Sequence, residues 1–196
     1  MIEKPMLFSA PMVRALLDSS KVQTRRIINP QPEVDGSVGP AGLLYLDRIP
    51  HPVGSRIWVK ETFARVHEWL LIHLDPEPDN GLSFNNGLST VYRADGEPSY
   101  WENYGTKWKP SIFMRKEYSR ITLEVTAVRV ERLQDISEDD CRSEGVKHDG
   151  SHRCNWRAGY KRLWESIHGA GSWEKNPWVW VYGLKRLTAS SPACPR

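Results

Sequence analysis

The chain has 196 residues, 39% of them hydrophobic and 26% charged, with a formal charge of +3. That composition suits one globular domain with a core, or a small domain carrying a large insertion. Nine Trp exclude disorder throughout, and a pI near 8.8 is too mild for a protein that coats DNA, while leaving room for a local basic site.

Three cysteines, Cys141, Cys154 and Cys194, are odd in number and widely spaced, with no CxxC pair, so neither a disulfide framework nor a zinc ribbon is expected. No apolar run approaches the ~20 residues that span a bilayer. The opening Met-Ile-Glu-Lys-Pro has no apolar core of a signal peptide. A cytoplasmic location is therefore expected, without a membrane partner.

In chain order, Ser9 to Leu17 reads as a short first helix. Ser9 is its candidate N-cap, Pro11 suits the first turn, and Met12, Ala15 and Leu16 share a face. It ends near Ser19-Ser20, which places Lys21 to Arg26 just beyond it. Pro and Gly dominate Asn29 to Gly42, a loop. Pro52 to Lys60 reads as a turn feeding a strand, with Ile57 and Val59 on one side and Trp58 and Lys60 on the other.

Residues from about 65 to 118 are broken by Asp-Pro and Asn-Gly turns and read as an irregular insertion, with short strands such as Ser89 to Arg93. Regularity returns at Arg120, where Ile121, Leu123, Val125 and Ala127 alternate. The phase changes at Val128 and Val130, as at a bulge or barrel bend. Ile136 to Gly145 is a compact helix with a Ser137 cap, acids in its first turn and Gly145 at a left-handed terminus. Asn155 to Ile167 is an amphipathic helix with Trp156, Tyr160, Leu163, Trp164 and Ile167 on its apolar face. Pro177 to Lys185 is a closing strand, and residues 188–196 are expected to be a disordered tail. Strands with short helices and no βαβ rhythm indicate an α+β domain on a small curved sheet or barrel.

Lys21, Thr24, Arg25 and Arg26 put three cations and a hydroxyl within six residues. Extended backbone would set Thr24 and Arg26 on one face and Lys21 with Arg25 on the other, so a local bend is needed to bring Lys21 beside Thr24. On composition alone the segment is equally a solvated basic turn. Glu61, at a strand end, is a candidate carboxylate, although Lys60 and Glu61 also fit a plain surface pair. Among the tryptophans, Trp156, Trp164, Trp173, Trp178 and Trp180 carry core spacing. Trp58 and Tyr92 fall in no periodic stripe and are better placed to stack on a base. Tyr92-Arg93 and Trp108-Lys109 each join an aromatic to a cation. His148, His152 and Cys154 match no common zinc spacing and flank a loop, so no metal and no cofactor are expected.

Helix, then Lys21-x-x-Thr24-x-Arg26, then Val53-Gly-Ser-Arg-Ile-Trp-Val59 resembles the ASCH domain, a relative of the PUA RNA-binding barrel. Ile121 to Val130, followed by Leu133-x-x-Ile-Ser-Glu-Asp-Asp-x-x-x-Glu-Gly145 and the strand from Trp178 to Leu184, resembles the rest of the family core. Trp108 to Met114 and Trp173 to Trp180 resemble a longer branch found in bacteriophages and prophages. The resemblance covers most of the chain except about residues 65–107, 147–154 and the tail.

It implies one small PUA-like barrel over residues 1–187, with short flanking helices and a large insertion. Some small bacterial relatives are amidohydrolases of N4-acetylcytidine, and their catalytic lysine, threonine and glutamate fall on Lys21, Thr24 and Glu144. Arg25, Arg26, Trp58, Glu61, Tyr92 and Lys109 are the substrate-binding candidates that go with it. The implied partner is a modified nucleoside or RNA, and a non-catalytic RNA-binding module or a ribonuclease are the other functions relatives suggest. The family carries a Gly shortly before the lysine. Ser19-Ser20 stand there in this chain, so the turn must avoid positive φ or accept strain.

Overall fold

The computed structural model describes residues 3–32, 49–67, 88–97, 107–146 and 155–187. Among these it is a mixed α+β architecture of seven strands and three α-helices. In chain order they are β1 (Glu3–Leu7), α1 (Ala10–Leu17), β2 (Gln23–Ile27), β3 (Arg56–Lys60), β4 (Phe63–His67), β5 (Leu88–Tyr92), β6 (Thr122–Arg132), α2 (Glu138–Ser143), α3 (Trp156–His168) and β7 (Trp178–Leu187). Five strands form a sheet ordered β1-β3-β6-β7-β2, while β4 and β5 pair separately. Among the described residues no helix is long and apolar enough to cross a membrane.

The chain divides into two compact units. The first comprises Met1–Lys4, Ala15–Ile57 and Leu123–Arg196, the second Pro5–Arg14 and Trp58–Thr122. In the first unit β2 runs antiparallel to β7, from Gln23 opposite Gly183 to Ile27 opposite Val179. The alternation of β7 turns Val179 and Val181 into a core with Leu133, Ile136, Cys141, Tyr160, Trp164 and Trp173. Helix α2 starts as its sequence dictates, with Ser137 Oγ accepting the Asp140 N–H at 3.1 Å. Asn155 caps α3 in the same way through Ala158. Tyr160 and Trp164 of α3 are buried, whereas Ile167, expected on the same stripe, is 44% exposed at the frayed last turn.

Strand β6 continues unbroken to Arg132. Leu123 and Val125 are fully buried, then Ala127 is exposed and Val128 half-buried, so the phase change occurs inside a continuous strand. Ala127 is therefore exposed although it continues the alternation of Ile121, Leu123 and Val125. Trp164, Trp173 and Trp180 are core residues, while Trp156 and Trp178 are half-buried beneath Arg142 and Arg132.

The second unit holds the β4–β5 pair, Phe63 opposite Tyr92 through His67 opposite Leu88. The described part of the segment expected to be irregular thus contains a regular strand and three single 3-10 turns, Arg93–Asp95, Ser111–Phe113 and Lys116–Tyr118. Ile121, Met114, Phe63, Ala64 and Val66 are among its buried apolar residues.

Two backbone reversals frame the start of β2. Ser19 adopts φ +64°, so the turn after α1 takes the strained option. A non-Gly residue there costs about 1–2 kcal/mol. Asp18 holds the turn by accepting the Ser20 N–H at 2.9 Å and its hydroxyl at 2.6 Å. Gly145 has φ +80°, and a Cβ on it would lie 2.8 Å from Ala15 Cβ and 3.0 Å from Lys21 Cβ.

The two positions have opposite tolerances. Gly145→Ala should lower stability by about 2–4 kcal/mol, combining left-handed strain with overpacking. Ser19→Gly should be neutral to stabilising by up to about 1 kcal/mol, because it relieves strain but frees the unfolded chain. Urea unfolding of both variants against wild type gives the sign.

Candidate functional site

Lys21 follows the reversal at Ser19, and its N–H donates to Ala15 O at 2.9 Å. It bridges to Glu144, the residue that ends α2. The neighbouring Val22 N–H donates to Ser143 O, and Val22 O accepts from Leu184. The segment is therefore clamped by α1, α2 and β7 before the ladder of β2 begins.

The polar side chains that converge here are almost wholly buried: Lys21 2%, Arg25 3%, Glu144 3% and Thr24 2% exposed. Lys21 Nζ donates to Glu144 Oε2 at 2.6 Å and to the Glu144 carbonyl at 2.9 Å. Arg25 Nη1 donates to the other oxygen, Oε1, at 3.1 Å. Arg25 also reaches Glu131 through Nε at 2.9 Å and Nη2 at 2.5 Å, and Asp140 through Nη2 at 2.9 Å. Arg129 closes the array on Glu131 and Asp140. Burial pulls the Lys21 ammonium below its ordinary pKa. The Glu144 charge and hydrogen bond oppose that shift, and the nearby Arg26 and Arg25 cations add to it. Burial likewise lowers the Arg26 guanidinium, which lies in the field of Glu144, Tyr160 and Tyr182.

Thr24 stands differently. In the ladder it is opposite Tyr182, with Arg26 opposite Trp180 and Arg25 opposite Val181. Directly opposed residues share a face, so Thr24 and Arg26 lie on the Tyr182 face of β2 and Arg25 on the helix-covered face. Lys21 and Arg25 meet at Glu144 as simple alternation requires, and both acceptors of Lys21 Nζ belong to Glu144. The bend that would bring Lys21 onto Thr24 is not made. A cavity of about 310 Å³ is lined by Lys21, Val22, Leu16, Leu123 and Leu184, together with Ser19, Lys185 and Arg186. Its size is at the lower end for a small-ligand site. The Lys21 side chain has no exposed area, so Nζ itself is closed from solvent.

No family model matches the chain, and no curated protein matches it. A solved structure is similar. It is the high-resolution crystal structure of an ASCH domain from Lactobacillus crispatus JV V101, 12% identical, covering 94% of this chain and 79% of that one, with a TM-score of 0.41. A likeness of that degree says nothing about chemistry, and the site is read from its own residues.

The other expected binding residues, Trp58, Glu61, Tyr92 and Lys109, all belong to the second unit. Glu61 is 1% exposed and does not form a surface pair with Lys60. Its two oxygens accept from Arg120 at 3.0 and 3.1 Å, and Arg120 also holds Asp95 at 2.7 and 2.8 Å. Lys60 instead donates to Ile112 O and lies over Trp58, 5.4 Å from the ring centre. The Arg120 guanidinium covers the Tyr92 ring at 3.9 Å, and the Tyr92 hydroxyl donates to Tyr118 O. That face of Tyr92 is thus occupied by Arg120. Lys109 is exposed and makes a backbone bridge to Phe63.

Among the described residues no group of three His, Cys, Asp or Glu is placed to hold a metal ion. His148, His152 and Cys154 lie outside the described residues.

No motif singles out the residues that complete the first-unit site. Asp140 reads as one of several acids favouring a helix N-terminus, and Glu131, one residue beyond the alternating stretch, carries no motif. His51, between two prolines, gave no signal at all. Yet it is 8% exposed, edge-on to Tyr182 with centroids 5.6 Å apart, and its Nδ1 has no hydrogen-bond partner. Burial, then the Lys4 and Arg26 cations, lower its pKa from 6.5 to about 4.

Glu144→Ala leaves Lys21 and Arg25 sharing a buried void without its carboxylate and should cost about 3–5 kcal/mol. Lys21→Met combined with Glu144→Leu should cost clearly less than the two single changes added, as read from a double-mutant cycle of urea unfolding. His51 gives a pH signature. Below pH 6.5 the unfolded chain takes a proton that the folded chain refuses until about pH 4, so this residue removes stability as pH falls through that window. Thermal unfolding of wild type and His51→Phe from pH 7.5 to 4.5 should show wild type losing ground to the variant on acidification.

Proposed function

We propose that the chain is an amidohydrolase acting on an N4-acylated cytidine or a similar modified pyrimidine nucleoside, within a PUA-like domain of the ASCH type. The observation that carries the reading is the Lys21–Glu144 pair, 2.6 Å apart and buried although 123 residues separate the two in sequence. A Glu in the last turn of a short helix is ordinarily solvated. This one meets the lysine that the Lys-x-x-Thr-x-Arg resemblance marks, and a desolvated ion pair of that kind is a candidate for proton transfer.

The chemistry proceeds by two balanced steps. Thr24 Oγ attacks the acyl carbon while the neutral Lys21 amine takes the hydroxyl proton, so a C–O bond forms as the carbonyl becomes an oxyanion. The C–N4 bond then breaks, Lys21 returns the proton to N4, and cytidine leaves. Water hydrolyses the acyl-threonine to a carboxylate and restores the hydroxyl. For this, Nζ must exchange one of its Glu144 contacts for Thr24 Oγ when substrate binds. Depression of the Lys21 pKa by burial favours the amine that step needs. Arg26, on the Thr24 face, is the group suited to the pyrimidine carbonyl or the oxyanion.

Gripping of RNA phosphates by Lys21 and Arg25 fits the same geometry poorly, because both side chains are closed from solvent and bonded to protein carboxylates. Cytidine release from N4-acetylcytidine and a panel of N4-acylcytidines, followed by chromatography, is the test. Wild type should turn over at least one member, with Lys21→Ala, Thr24→Ala and Glu144→Gln each about 100-fold or more slower. Salt-sensitive RNA binding with no turnover by wild type would replace this reading with a binding module.

A further inference from the structure

We propose that Arg25 is a positioning residue for the Lys21–Glu144 pair, fixing which Glu144 oxygen faces Lys21 without touching substrate. The inference rests on the amidohydrolase reading of the site and departs from the expectation that Arg25 grips substrate.

Four hydrogen bonds carry it. The Arg25 side chain has no exposed area, and its guanidinium donates to Glu131 twice, to Asp140 once and to Glu144 once. Its ring-side neighbour is Tyr160, with the guanidinium carbon 5.9 Å from the ring centre. Four of the five N–H donors of this planar fork are thus engaged by carboxylates inside a closed side chain, and it cannot shed its proton. The two oxygens of Glu144 are divided between cations, Oε1 to Arg25 and Oε2 to Lys21. Rotation of that carboxylate would break both contacts at once.

Arg25 is held in its turn. Arg129, 45% exposed on its side chain, donates to Glu131 Oε2 at 2.9 Å and to Asp140 Oδ2 at 2.8 Å. The hydrogen-bonded chain thus runs from a half-exposed arginine on β6 to a closed lysine before β2. It sets three cations, Lys21, Arg25 and Arg129, against three carboxylates, Glu131, Asp140 and Glu144.

The consequence is a coupling between Arg25 and the proton on Lys21. Removing the cation leaves Glu144 facing Lys21 alone and also removes a like charge near Nζ. Both changes make the pair hold its proton more tightly. The groups facing the pair are Arg25 and Arg26 from β2, Glu131 from β6, Asp140 and Cys141 from α2, and Tyr160 from α3. Burial pushes Cys141 up to about 11 and Tyr160 above its usual range, and the Arg25 and Arg129 cations hold Asp140 low. Lys21, which burial lowers, is then the titrating group through which the pH profile reads Arg25.

The pH dependence of kcat and KM for Arg25→Gln and Arg25→Lys tests this. Arg25→Gln should lower kcat by about 10- to 100-fold with KM within twofold, and its acid limb should move to higher pH. Arg25→Lys keeps the charge and loses the fork, so kcat should fall with the limb unmoved. If Arg25→Gln does not fold, Arg25→Lys alone is read. A raised KM at unchanged kcat in either variant overturns the proposal in favour of substrate contact. A lower kcat in Arg25→Gln with the limb in place marks a merely structural role and overturns it too. Should wild type turn over no acylcytidine, the amidohydrolase reading fails by itself. The Arg25 coupling is then read by NMR titration of the Lys21 side chain in ¹³C-lysine protein, where a Lys21 pKa left unchanged by Arg25→Gln overturns it, and so does one shifted by the charge-keeping Arg25→Lys.

Discussion

A carboxylate with almost no contact with water sits between two cations drawn from one short stretch of chain, and much of the first unit follows from that burial. An isolated Glu144 would lose several kcal/mol on leaving water. Lys21 and Arg25 offset that loss, each giving it a charge-assisted hydrogen bond. Those two contacts demand that α2 end against the segment before β2. The approach is possible because Gly145 has no Cβ where Ala15 and Lys21 already stand. Backbone bonds from Lys21 to Ala15 and from Val22 to Ser143 then fix the same closure without charge. Turn, helix end and ion pair therefore specify one another, a consistency across levels expected of a segment with a single structure.

The elements were largely legible because their signals are local. Ser137 and Asn155 cap the helices they precede, the alternation from Ile121 finds its buried face, and Gly145 takes the left-handed backbone that its place after α2 called for. Ile167 and Ala127 went wrong for a shared reason: periodicity knows which face a residue is on, but not where the neighbour covering that face stops. The pairing of Lys21 with Glu144 was accessible only through family resemblance, since 123 residues intervene. Glu131, Asp140, Arg120 and His51 were not legible at all. Their importance comes from what long-range folding packs against them, and each has an ordinary local explanation as a strand end, a helix-terminal acid or a turn residue.

The second unit repeats the same physics in a different arrangement. Glu61 is buried and forked by Arg120, which also clamps Asp95 and lies on Tyr92. Burial raises the Glu61 pKa and the Arg120 contact lowers it, with the first effect the larger. This explains why a carboxylate at a strand end, ordinary in sequence, does not face water as half of a Lys60 pair. It also shows that an Arg–carboxylate fork alone is no mark of a catalytic centre. What separates the first-unit cluster is the lysine, whose charge can be removed where that of an arginine cannot.

The two faces of β2 divide the labour of the site. Alternation sends Arg25 to the helices and Thr24 with Arg26 toward Tyr182. On the proposed reading, Thr24 as nucleophile on one face and Lys21 as base drawn toward the other are not a preassembled dyad, and the closed Lys21 side chain says the same. The lysine is held on Glu144 in a bond of 2.6 Å, which the proposed substrate would have to loosen. Loosening it removes the contact that most strongly favours the ammonium, so the event that frees Nζ also makes it the better base. Substrate binding and base activation would then be one step, and Arg25, by retaining Glu144 when Lys21 leaves, keeps the carboxylate from following.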